Sequence, residues 1–281
     1  MVARSINQPD AGGGWRALLF WTPLVEDWEL IRNLTKRQIA AKYRGSVLGL
    51  LWVVATPLIM LTIYTYVFSI IFAKRWDMIL EGKTNFALFL FAGLCCHQMI
   101  AECLSRAPSL LLENKNYVKK VIFPLATLPW VLVLSASFTF CVNLTILLIM
   151  YLLMFGLPPL SIALLPLALF PLLMLAAGLT WVFSALGVFF RDLKHVTTIL
   201  VTLLLFLTPI FYPLQAVPEQ YQIFVRANPL AEIVETVRSL TFYGEMSEIL
   251  PWLLLCSSSL LLAAFGYALF NRISSSFADV L

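Results

Sequence analysis

The stretch "YLLMFGLPPLSIALL", Tyr151–Leu165, sits inside 70 residues, Val121–Phe190, that contain no Asp, Glu, Lys or Arg. One membrane-crossing helix needs about 20 apolar residues, so a run of that length holds two helices and a turn. "GLPP", Gly156–Pro159, supplies the turn, because glycine opens backbone angles closed to other residues and proline cannot continue a helix. On either side the charge-free runs recur: Gly45–Ala73, Thr84–Ala101, His195–Pro218 and Ile249–Asn271. With the long run split in two, the count is six. Barrel strands are about 10 residues long and alternate polar with apolar; these runs do not alternate.

Composition agrees. Of 281 residues, 61% are apolar and 12% charged, with a mean hydropathy of +0.90. A soluble domain carries about 25% charged residues, so this chain has too little polar material to wet a globular surface. The expected fold is all-α integral membrane, one transmembrane domain over residues 1–281: a loosely ordered extension 1–25, an amphipathic helix 26–44 and a six-helix region 45–271. With six spans both termini share a side, which then holds 14 of the 19 Lys and Arg. Basic residues stay cytoplasmic, so both termini are expected there. The net charge of +4 reports topology rather than nucleic-acid binding. The early apolar piece "ALLFWTPLV" lacks a small-residue cleavage site and runs into Glu26 and Asp27, unlike a cleavable leader.

Ahead of the first span, "EDWELIRNLTKRQIAAKYRG" has helical periodicity. Trp28, Ile31, Leu34, Gln38 and Ile39 fall near one face, and Arg32, Lys36, Arg37 and Lys42 fill the rest. Such a basic amphipathic helix lies in the headgroup layer, as a plain anchor or as a partner contact as well. After the fifth run, "RANPLAEIVETVRSL" offers Asn228 as N-cap and Pro229 at the first helical position. Leu230, Ile233, Val234, Val237 and Leu240 form its apolar face, with Glu232, Glu235, Arg238 and Ser239 opposite. "VPEQYQIFV" gives a shorter helix from Pro218. The pair reads as an external helical hairpin, either re-entrant in the outer leaflet or packed on top of the bundle.

Catalytic and ligand patterns are thin. "EGKT", Glu81–Thr84, resembles the end of a phosphate-binding loop, but the glycine needed five residues before Gly82 is Asp77. His97, Glu102 and Arg106 lie along one span; Glu102 and Arg106 have the spacing of an ion pair within a helix. His195 closes "RDLKH" in a turn. The five cysteines lie in or beside apolar runs and read as small apolar residues. Tyr64, Phe68 and Phe72 repeat every four residues, and Phe206, Phe211 and Tyr212 cluster near the end of the fifth run. Aromatic faces stack on sugars and so suit a channel lining; they equally fill helix contacts and membrane interfaces.

Four pieces, in order, resemble the permease subunits of bacterial ABC exporters for polysaccharides, most closely the O-antigen and teichoic-acid branch. They are "RQIAAKYRGSVLGLLWVVATPL", "ENKNYVKKVIFP", "GVFFRDLKHV", and "TPIFYPLQAVPEQY" followed by "NPLAEIVETVR". The resemblance covers about residues 28 to 272. It implies a homodimer paired with two copies of a separate ATPase, which would hold the ATP and Mg, with no cofactor in this chain. The cargo it implies is an undecaprenyl-linked polysaccharide, moved through the bacterial inner membrane in contact with its lipid. Carried over by position, Glu113, Asn114, Lys115, Tyr117, Lys119 and Lys120 match the ATPase-coupling segment. Lys36, Arg37, Lys42 and Arg44 match the interface helix, and Tyr221, Asn228, Pro229, Ile233, Val237 and Arg238 the external gate. The resemblance strengthens the aromatic residues as channel lining and leaves the glycine-rich N-terminal extension without an account. A related permease for a drug or a lipid, and more remotely a lipid-linked sugar transferase, are the alternatives.

Overall fold

The computed structural model describes residues 20–67, 86–119, 123–212, 217–246 and 249–280. Every regular element among them is helical. Five helical stretches are long and apolar enough to cross a membrane: Gly49–Val67, Phe86–Glu113, Thr127–Phe155, Leu160–Phe189 and Ile249–Val280. The main helices are α1 (Trp28–Tyr43), α2 (Trp52–Tyr64), α3 (Phe86–Arg106), α4 (Leu110–Glu113), α5 (Lys115–Val118) and α6 (Thr127–Phe155). They continue as α7 (Phe170–Phe189), α8 (Leu193–Leu207), α9 (Glu219–Arg226), α10 (Pro229–Arg238) and α11 (Ile249–Ile273).

The sixth expected span is shorter than its charge-free run. α8 has 15 residues, about 22 Å at 1.5 Å per residue. It stops because Pro209 lacks an N–H and disfavours helical angles in the residue before it; Thr208 is extended, at φ −85° and ψ 134°. Pro166 and Pro171 likewise start helices rather than kink one, each in the first turn of its segment, where the missing N–H has no partner to lose. Pro57 alone of these sits inside a helix. Gly156, at φ +88° and ψ −154°, ends α6 in a conformation that only glycine adopts readily, so the "GLPP" turn stands where the sequence puts it.

α3 is the centre of the bundle: 83% of its most apolar stretch is buried, against 17% for Gly49–Val67. α6, α7, α8 and α10 pack around it. α7 and α11 approach closely because each carries a glycine at the crossing. A Cβ on Gly178 would lie 2.8 Å from the backbone N of Ala263, and one on Gly266 would lie 2.6 Å from the carbonyl oxygen of Gly178. Small residues at such a crossing let backbones meet and gain dispersion contacts, which matter where lipid removes the hydrophobic drive between helices.

Residues 20–25 depart from the loosely ordered extension expected over 1–25. Phe20 is buried, its carbonyl accepts from Trp130 Nε1 at 3.2 Å, and its ring lies edge-on to Trp181 at 6.3 Å. Aromatic burial holds this segment. The earlier part of that extension, "EGKT", Phe68, Phe72 and Lys120 lie outside the described residues.

Candidate functional site

Two constellations stand at opposite ends of α3. At its C-terminal end the charged segment is helical. A 3-10 turn, Ala107–Ser109, leads into α4 and α5. Leu110, Leu111 and Val118 are buried and form its footing, while Glu113, Lys115 and Lys119 are exposed. Asn114 Nδ2 donates to the Leu110 carbonyl at 2.8 Å, and Ser109 donates to Glu113 Oε1 at 2.9 Å. The turn before it lies against α7, where Gly187 leaves room: a Cβ there would sit 2.2 Å from the Pro108 carbonyl oxygen. The result is a charged ledge on a buried apolar footing.

The amphipathic helix is tied to this ledge. Arg37 Nη1 donates to the Tyr117 hydroxyl at 3.2 Å, and the Tyr117 ring stacks on Phe123 with centroids 4.5 Å apart. Lys36, Arg37 and Arg44 are exposed. The side of α1 buried against the protein is centred on Ile31 and Thr35, and Trp28 is 49% exposed. Lys42 reaches the bundle: its Nζ lies 2.8 Å and 2.9 Å from the two Glu102 carboxylate oxygens and 3.3 Å from Thr139 Oγ1. The expected Glu102–Arg106 pair exists at 3.8 Å but is the looser contact. Sequence spacing finds only the partner on the same helix; Lys42, sixty residues away, carries no local signal.

At the other end, α9 and α10 form the expected hairpin. Asn228 accepts from Leu230 N at 3.0 Å as the N-cap, and its Nδ2 donates to Thr208 Oγ1 at 2.9 Å. Leu230, Ile233, Val234, Val237 and Leu240 are each at most 1% exposed. Pro229 is half-buried and Tyr221 exposed. Arg238, which the pattern puts on the polar face, is buried at 1% exposure. Its Nε, Nη1 and Nη2 donate to the carbonyls of Phe89 (3.1 Å), Pro209 (2.7 Å) and Ile210 (3.0 Å). The guanidinium also lies 3.9 Å from the Phe89 ring centroid, a favourable cation–π distance. Burial lowers its pKa to about 10 while Glu235 opposes the fall, so it stays charged at neutral pH. Two of the accepting carbonyls lie where α8 breaks and the third in the first turn of α3.

Between the two ends, Tyr64 is half-buried against Leu90, Leu94 and Ile210. Phe206 is 63% exposed, Phe211 half-buried, and the Tyr212 hydroxyl donates to the Phe206 carbonyl at 2.7 Å. The described members of the aromatic set therefore occupy two environments, one inside a helix junction and one on an open face. His97 is buried with Nε2 3.1 Å from the Val201 carbonyl, and His195 is exposed.

The sequence profile of the ABC-2 type transporter family matches residues 29–242. The chain belongs to that family. The matched range runs from α1 through the charged ledge to the end of the hairpin, so both constellations fall within it. The chain is 27% identical over 90% of its length, and 95% of the relative's, to the O-antigen export system permease protein RfbA of Klebsiella pneumoniae. It is 25% identical over 89% of its length, and 94% of the relative's, to RfbA of Myxococcus xanthus. The polysialic acid transport protein KpsM of Escherichia coli is 25% identical over 86% of this chain and 92% of its own. With five helical stretches among the described residues long and apolar enough to cross a membrane, this ABC-2 type chain is a multi-pass integral membrane protein.

Proposed function

We propose that the chain is the transmembrane subunit of an ABC transporter exporting an undecaprenyl-linked, O-antigen-like polysaccharide across the bacterial inner membrane. Similarity along nearly the whole chain to permeases named for O-antigen and polysialic acid export carries this reading. In it, α8 with the residues after it completes a sixth span, and both termini face the cytoplasm. Two copies pair, and two copies of a separate ATPase, holding ATP and Mg, dock on the ledge of Glu113, Asn114, Lys115, Tyr117, Lys119 and Lys120. The interface helix, through Lys36, Arg37, Lys42 and Arg44, flanks that dock. Tyr64, Phe68, Phe72, Phe206, Phe211 and Tyr212 line the glycan path.

The hairpin acts as the external gate in this reading. The packing of α10 on the first turns of α3, through Gly93 and Phe89, supports its re-entry into the outer leaflet. The ledge supports docking because its charges point outward from a buried apolar footing. The test is deletion of the gene in its native strain, complementation, and purification of the tagged protein from the membrane. Surface polysaccharide is expected to vanish and return, and an ATPase to co-purify. Unchanged surface polysaccharide in the deletion strain would sink the proposal.

A further inference from the structure

Resting on the reading above, we propose that Glu102 is the joint that delivers movement of the docking ledge to the bundle, acting as a positioning residue through Lys42 and Arg106. Its carboxylate is 16% exposed and holds Lys42 of α1 at both oxygens, at 2.8 Å and 2.9 Å. Arg106, 3.8 Å away on the next turn, is the last residue of α3 before the ledge begins. Lys42 in turn donates to Thr139 of α6. One carboxylate therefore gathers α1, α3 and, through lysine, α6.

A second tie lies five residues earlier on α1, where Arg37 donates to Tyr117 of the ledge. Besides its packing on α6, α1 is thus tied by polar bonds to the ledge through Arg37 and to α3 through Lys42. Displacement of the ledge pulls on Arg37, and α1 passes it to Glu102.

The seam that α1 shares with α6 explains why an ion pair is needed there. Thr35, Gln38 and Lys42 recur at helical spacing on α1, and Ser135 and Thr139 on α6; the Lys42–Thr139 contact sets the two stripes toward each other. Thr35 Oγ1, Gln38 Nε2 and Ser135 Oγ are buried without a hydrogen-bond partner among the described residues. An interdigitated apolar seam fixes its own register by shape. A polar seam with unpaired groups accepts several registers of similar energy, and the charge-assisted pair, stronger than neutral hydrogen bonds, selects one.

The test uses the full complex with its co-purifying ATPase, in the native strain lacking its own copy of the gene. Surface polysaccharide is measured as acid-released hexose, and ATP hydrolysis as inorganic phosphate from purified complex. Glu102→Gln is expected to retain ATPase association and hydrolysis, and Lys42→Met breaks the same pair from its other side. Each should lose roughly tenfold in polysaccharide exported, and the double variant should lose no more than either single, the mark of one shared interaction. Export at the parental level in both singles, or losses that multiply in the double, would overturn the joint. Lys42→Met changes a partly exposed position, so it carries the test if Glu102→Gln fails to insert; failure of both to insert would overturn it too. Absence of any ATPase on the parent protein would instead overturn the functional reading, which keeps the two failures distinct.

Discussion

Arg238 Nη1 lies 2.7 Å from the carbonyl oxygen of Pro209, across 29 residues of chain. This contact joins the buried helix of the hairpin to the place where α8 unwinds. With the bonds to Phe89 and Ile210 it makes α10, the end of α8 and the start of α3 one body. A hairpin so tied does not swing alone. Any opening at this end must carry both the Thr208–Ile210 segment and the start of α3 with it or break charge-assisted bonds.

Arg238→Met should therefore destabilise the protein by several kcal/mol, at about 1–3 kcal/mol for each buried acceptor left unsatisfied. The carbonyls of Pro209 and Ile210, outside any helix, would lose this donor. Arg238→Lys should recover part of the loss, since an ammonium lacks the planar fork that reaches all three carbonyls. Thermal unfolding of the detergent-purified protein measures this. An unfolding temperature equal to the parent's in Arg238→Met would contradict the assignment.

Gly93 makes room for the same guanidinium. A Cβ there would stand 3.0 Å from Arg238 Nη2 and 3.2 Å from a Val234 methyl. Gly93→Val should displace Arg238 and cost about 1–3 kcal/mol by overpacking, with Gly93→Ala milder. Because both changes act on one network, Gly93→Val combined with Arg238→Met should cost less than their sum. Strict additivity in the same unfolding assay would show that the glycine serves something else.

The α7–α11 crossing makes a separate demand. A Cβ on Gly266 meets backbone, the Gly178 carbonyl oxygen at 2.6 Å, and backbone cannot turn aside as a side chain can. Gly266→Val should push the helices apart and lower the yield of folded protein well beyond the effect of Gly93→Ala. Fluorescence-detected size-exclusion profiles of the two variants provide the comparison; a monodisperse Gly266→Val at parental yield would refute it.

The ledge yields a prediction about partners. Lys115 and Lys119 are exposed, so reversing them leaves folding intact and changes only what approaches. Lys115→Glu with Lys119→Glu should weaken ATPase association by about tenfold or more, as like charges brought together at an interface oppose docking. Pull-down of the ATPase at low and moderate salt reads the effect, alongside membrane levels of the variant. Unaltered association would place the docking surface elsewhere.

The aromatic residues separate by accessibility. Phe206→Cys, on an exposed face, should react with a membrane-impermeant thiol reagent if that face borders a water-filled path. Tyr64→Cys, half-buried, should react more slowly. Modification of Phe206→Cys by lipid-soluble reagents alone would assign the face to the bilayer.

The sequence by itself determined the class of fold, its helical runs and the pieces at each end. A bilayer imposes its rule residue by residue: a charge in hydrocarbon is costly wherever it sits, so charge-free runs mark membrane helices with no knowledge of neighbours. Local chemistry also reached the "GLPP" turn, the Asn228 cap and the apolar face from Leu230 to Leu240, each set by residues within a few positions. Tertiary structure decided what depends on distant partners. α8 stopping at Leu207 freed carbonyls at Pro209 and Ile210, and those made the interior a favourable place for Arg238, which helical periodicity alone assigns to the polar face. Glu102 showed its sequence neighbour Arg106, yet its closer partner is Lys42 on another helix. A buried charge settles where unpaired dipoles and opposite charges are gathered for it, and only the packing of helices far apart in the chain gathers them.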